Sequence, residues 1–204
     1  MVDPATLRSF FQKGKPFEAY LASAKPNEAP GWASMVKQAR LTDAQTALVR
    51  TFARRINVLV LSGTWCGDCV QQCPILSVIA QAHPAAPAPP GRTAAEDSPG
   101  IDLRFLDRDG HIELADQVMI CGGHRVPAAI FMNEDFEFVS ILGDRTLARY
   151  RAVAARQLGP SCPLPGAPVP PDELAATTTD WLNEFERVAL LLRLSPKLRD
   201  KHGD

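Results

Sequence analysis

The chain has 204 residues, 46% hydrophobic and 22% charged, a length and balance that suit a globular fold with a sizeable core. Lys and Arg number 22 and Asp and Glu 23, so the net charge of −1 gives no electrostatic bias toward nucleic acid or anionic membranes. The longest aliphatic stretch, Ile56 to Leu61, is far too short to span a bilayer, and the start Met1-Val2-Asp3-Pro4 has no signal-peptide pattern, so a cytoplasmic protein is expected. In that compartment thiols stay reduced. The five cysteines, Cys66, Cys69, Cys73, Cys121 and Cys162, then favour catalysis, metal binding or packing over a disulfide framework.

The first 55 residues read as helical. Asp3 caps a helix with Pro4 at its first position and Leu7, Phe10 and Phe11 on its apolar side. Pro16 starts a short second helix through Phe17, Tyr20 and Leu21, and a third segment runs from Trp32 to Val36. Thr42 and Gln45 have capping-box spacing ahead of Leu48, Val49 and Phe52. At Ile56 the pattern changes to a short β-branched run, as in a buried central strand. Ser62-Gly63-Thr64-Trp65 turns the chain into a helix over 66–81 that contains Pro74. Residues 83–100 read as a Pro-rich, solvent-exposed insertion.

A strand over 101–106 and a helix over 112–120 follow, the latter broken by Gly122-Gly123. Two strands, 128–132 and 136–142, are joined by Asn133-Glu134-Asp135 in a hairpin-like connection. A helix over 145–157, a Pro-rich linker over 158–171 and a C-terminal helical extension over 172–204 complete the chain. The extension carries Trp181, Phe185, Val188, Ala189 and Leu192 on one face. A βαβ unit requires parallel strands and the short 133–135 connection an antiparallel pair, so the fold is α/β with a central mixed sheet.

Cys66-Gly67-Asp68-Cys69 carries the chemistry. Two intervening residues let both sulfurs meet across one helical turn, and Cys66 falls at a helix N-terminus, where free N–H groups favour a thiolate. The motif with Trp65 before it, Pro74 and Ile75-Leu76 within the helix, Val126-Pro127 ahead of Ala128-Ala129-Ile130-Phe131-Met132, and Gly143 resembles the active site and landmarks of thioredoxin-like proteins, over residues 56–157. Trp65 to Asp68, Leu103 to Asp109 and Gly122 to Pro127 also resemble a little-characterised bacterial branch with a Trp-Cys-Gly-Asp motif.

The resemblance implies a three-layer thioredoxin-like fold and a dithiol that needs no other cofactor. Cys66 would attack a protein disulfide and Cys69 would resolve the mixed disulfide, with Trp65, Gly67 and Asp68 tuning the pair. Val126 and a cis Pro127 would line the substrate groove, and an unidentified reductase would restore the dithiol.

The family's pattern is not complete. Many thioredoxins have a buried Asp six residues before the first Cys and a Lys on the next strand; the matching positions are Val60 and Phe105. Asp68 either opposes thiolate formation and takes a proton from Cys69, or simply satisfies first-turn N–H groups. Cys73 is either a second resolving thiol or a small core residue. Cys121 and His124 either add a zinc site, a redox thiol or a base to Cys66 and Cys69, or mark a helix C-terminus with a surface His. A binding protein without turnover is the alternative for the whole chain.

Overall fold

The computed structural model describes residues 2–86, 98–158 and 171–203. The middle of the 83–100 insertion, most of the Pro-rich linker and Cys162 lie outside the described residues. In chain order the elements are α1 (Pro4–Lys13), α2 (Phe17–Leu21), α3 (Ala29–Gln38), α4 (Asp43–Val49), β1 (Arg55–Ser62), α5 (Gly67–Ala82) and β2 (Gly100–Asp107). Then come α6 (Ile112–Ala115), β3 (Ala128–Met132), β4 (Phe138–Gly143), α7 (Leu147–Leu158), α8 (Glu173–Leu194) and α9 (Pro196–His202).

Among the described residues the strands form one mixed sheet in the order β2-β1-β3-β4, with β1 parallel to β2 and antiparallel to β3. Every residue of β1 is buried although successive side chains point to opposite faces, so the sheet is covered on both sides. Phe105 meets Phe17 and Tyr20 of α2, and Phe131 meets Phe185 of α8 edge-on at 5.0 Å between ring centroids. Helices α3, α4 and α8 pack on α5, which is why that helix buries residues around much of its circumference. The α8 stripe read from the sequence, Trp181, Phe185, Val188, Ala189 and Leu192, is buried throughout. The N-terminal helices and α8 join the same hydrophobic core as the sheet. Among the described residues no helix is long and apolar enough to cross a membrane.

The sequence expectations need local corrections. The Thr42–Gln45 capping box forms as read. The helix expected over 112–120 ends at Ala115, because Ile120 and Gly123 exchange backbone hydrogen bonds across a tight turn whose central residues, Cys121 and Gly122, have φ of 50° and 69°. That turn, not a helix C-terminus, holds Cys121. The last strand starts at Phe138 rather than 136, since Phe136 has φ of 63° and Asn133 Oδ1 accepts from the Asp135 and Glu137 N–H groups. The 83–100 insertion is anchored at both ends: Pro84 bridges Ile101, and Gly100 already begins β2.

Candidate active site

The site forms where β1 runs into α5. The Cys66 N–H closes the turn onto the Gly63 carbonyl at 3.0 Å, and the Trp32 indole Nε1 donates to the Thr64 carbonyl at 2.9 Å. Gly63 is needed here: a Cβ would lie 2.6 Å from the Trp65 ring, which folds back over the turn. Trp65 is half exposed; its Nε1 donates to Asp109 Oδ2 at 3.2 Å, and the Arg108 guanidinium lies 4.7 Å from its ring centroid. Arg108 also donates to the His124 carbonyl at 2.9 Å, tying the Trp65 turn to the segment that leads into Pro127.

Cys66 is the N-cap of α5, with extended backbone at φ −87° and ψ 120°. Its Sγ is half-buried and donates to the Val126 carbonyl at 3.5 Å, beside the cis Val126–Pro127 peptide. Gly143 completes this wall, since a Cβ there would come 2.3 Å from the Pro127 carbonyl oxygen. Cys69 is fully buried one turn beneath and accepts from the Gly63 N–H at 3.4 Å. Hydrogen bonding with Cys69 and then burial push the Cys66 thiol up, against the opposing pull of the Cys69 and Asp68 backbone N–H groups. Burial above all pushes Cys69 well above the ordinary thiol value.

Two facing positions behind the sulfurs are uncharged. Val60 and Phe105 are direct register partners on β1 and β2, both fully buried. Asp68 sits in an ion-pair cluster. Its carboxylate is held by Arg145 at 2.5 Å and by Arg149 at 3.1 Å, and Arg149 also binds Glu173. The charge of Asp68 is thus matched by cations from the far side of α5. Gly67 has open space around it, with nothing within 4 Å of an added Cβ.

Cys73 is fully buried in the core beneath Cys69. Cys121 is exposed at its turn, and the His124 ring pairs with Asp116 at 2.7 Å. Among the described residues no three His, Cys, Asp or Glu side chains gather as metal ligands, so Cys66, Cys69, Cys121 and His124 are not brought together. The sequence reading missed Tyr20, Ser62, Arg108, Arg145 and Arg149 as neighbours of the motif. Only Arg108, inside the quoted segment from Leu103 to Asp109, carried any signal.

A family model described as thioredoxin matches residues 14–155. The chain belongs to this thioredoxin family. The match starts inside the N-terminal helices, well before the start at 56 read from the motifs, and it is coarser than the Trp-Cys-Gly-Asp branch. Among solved structures, a protein of unknown function from Pseudomonas aeruginosa is 19% identical, with 95% of this chain and 98% of that chain covered and a TM-score of 0.60. An HIV epitope-scaffold of the 4E10 series is 16% identical, with 91% and 93% covered and a TM-score of 0.56. Both likenesses concern the fold alone. No curated protein matches the chain significantly. Within the thioredoxin fold, the half-buried Cys66 over a buried Cys69, facing a cis-proline strand, occupies the position where thiol chemistry is possible.

Proposed function

We propose that the chain is a thiol–disulfide oxidoreductase that reduces protein disulfides, with Cys66 as nucleophile and Cys69 as resolving thiol. The observation that carries this reading is the placement of Cys66 Sγ: at the N-cap of α5, 3.5 Å from the Val126 carbonyl, with Cys69 one turn beneath. An extended substrate strand pairing with Val126 would bring its sulfur to Cys66. Trp65 offers apolar contact beside the nucleophile. The reducing direction is the one expected of a dithiol in a compartment that keeps thiols reduced. The electron pair resides in the dithiol without another cofactor. The reading places the working protein in a reducing compartment, the cytoplasm, where a reductase restores the dithiol.

An insulin-type reduction assay with dithiothreitol as donor tests it. Wild type should accelerate the reaction, Cys66→Ser should abolish the acceleration, and Cys69→Ser should accumulate the mixed disulfide. Acceleration that survives Cys66→Ser overturns the assignment. The uncharged Val60–Phe105 lining favours a second reading, a thioredoxin-fold binding protein with no turnover; wild type indistinguishable from dithiothreitol alone supports it.

A further inference from the structure

Tyr20 lies far from the cysteine motif in sequence, yet its hydroxyl reaches the floor of the dithiol. The side chain is 1% exposed, and its ring stacks on Phe105 with centroids 5.4 Å apart. The hydroxyl donates to Ser62 Oγ at 2.9 Å. Ser62 is fully buried at the end of β1 with its Oγ 3.5 Å from Cys73 Sγ, one turn along α5 from Cys69, and its hydroxyl favours charge on Cys69. The Gly63 N–H approaches Cys69 from the same turn at 3.4 Å.

The polarity of this chain follows from its chemistry. Burial pushes the Tyr20 phenol up, so it stays protonated and donates to the Ser62 oxygen. The hydrogen of Ser62 is then free for a sulfur. A thiolate accepts more strongly than a thiol, so charge appearing on Cys69 draws that hydrogen toward it. The facing positions Val60 and Phe105 on the inner wall carry no charge to do this work.

We propose that the Tyr20–Ser62 hydroxyl pair, together with the Gly63 N–H, stabilises the negative charge that develops on Cys69 as it resolves the mixed disulfide. The inference rests on the oxidoreductase reading above. In the resolving step, Cys69 Sγ bonds to Cys66 Sγ and the bond between Cys66 and the substrate sulfur breaks. The departing sulfur keeps the electron pair and takes up the proton that Cys69 gives up. The cysteine pair is oxidised by two electrons and the substrate disulfide is reduced to two thiols. The hydroxyls exchange no net proton; they lower the cost of partial charge on Cys69 in a buried site. Ser62 and, through it, Tyr20 are positioning residues.

The test uses the full chain with Cys121→Ser and Cys162→Ser and an aromatic nitrobenzoate disulfide that releases a coloured thiolate. Attack by Cys66 releases the first equivalent and resolution by Cys69 the second. Ser62→Ala should leave the first release unchanged, slow the second about tenfold and move the midpoint of its pH–rate profile upward, as for loss of one hydrogen bond to a charged group. Tyr20→Phe keeps the stacked ring and should show a smaller change in the same direction. Ser62→Thr, which retains a hydroxyl, should behave as wild type. Second-release rates and pH midpoints unchanged in Tyr20→Phe and in any folded Ser62→Ala overturn the inference while leaving the oxidoreductase reading intact. A second release that persists in Cys69→Ser assigns resolution to Cys73 and also overturns it. No second release from the unsubstituted site overturns both.

Discussion

At the entry to β1, Arg54 and Arg55 are each 5% exposed and bind carboxylates: Arg54 meets Glu134 at 3.3 Å and Arg55 meets Asp102 at 2.7 Å. At the exit, Ser62 is buried among thiols and a phenol, and the strand positions behind it, Val60 and its partner Phe105, are apolar. One strand thus buries full charges at one end and excludes them from the other. The sheet tolerates buried ions when they are paired, so the neutral lining of the sulfurs is a local property of the site and not a limit of the fold. Burial there is the main reason the Cys69 thiol is raised.

The largest expected effect strikes the charged end. Glu134→Ala takes away a buried carboxylate that Arg54 binds and should cost about 3–5 kcal/mol in urea unfolding near neutral pH. A cost below about 1 kcal/mol would mean that the two ends of β1 do not differ as described. Next, Val60→Asp installs a carboxyl at the neutral end. Burial raises its folded-state pKa above the unfolded value of about 3.9, so the native state holds a proton that the unfolded state releases. The variant should therefore lose stability as pH rises from about 4 to neutral, by about 2–4 kcal/mol in total. A pH-independent loss would show that the site accepts the charge.

A third measurement compares the reduced and oxidised chains. Cys66, Cys69 and Tyr20 are all raised, so above their ordinary values of 9.0 and 10.0 the unfolded chain sheds protons that the native chain keeps. The reduced protein should lose stability as pH rises past those values. The oxidised protein, whose dithiol no longer titrates, should lose less. Parallel pH curves for the two redox forms would break the link between the neutral lining and the thiols. The smallest effect concerns Asp68, whose charge Arg145 and Arg149 already match. Asp68→Asn should cost about 1–2 kcal/mol. It leaves two cations near the start of α5, so the alkylation midpoint of Cys66 should move slightly downward; an upward movement would contradict the pairing seen here.

The parts of this molecule legible in its sequence are those set by local chemistry. The capping box at Thr42, the β-branched run of β1, the dithiol helix and the apolar stripe of α8 each depend on residues within a few turns of one another. The helix wrongly extended to residue 120 failed on a local feature as well: a non-glycine residue, Cys121, takes positive φ in the turn, which an apolar pattern does not reveal. The site was legible only along its own helix and in the Val-Pro strand. Tyr20 to Ser62 and Asp68 to Arg149 join residues far apart in the chain, and tertiary packing alone brings them together. The neutral position at Val60 could be read from the sequence; the hydroxyl two residues later gave no sign of its importance.

Strand β2 lies at the margin of the sheet, where open backbone groups invite another chain to add on. Here the protein occupies its own margin. Lys15 exchanges N–H···O=C bonds with Phe105 at 2.8 Å in both directions, and His83 and Ala85 bond Ile101 nearer the start of the strand. The linker between α1 and α2 and the segment that follows α5 therefore act as stoppers against self-association. Trimming the chain to begin after Lys15 would remove one of them and open a template for aggregation a few residues from the dithiol.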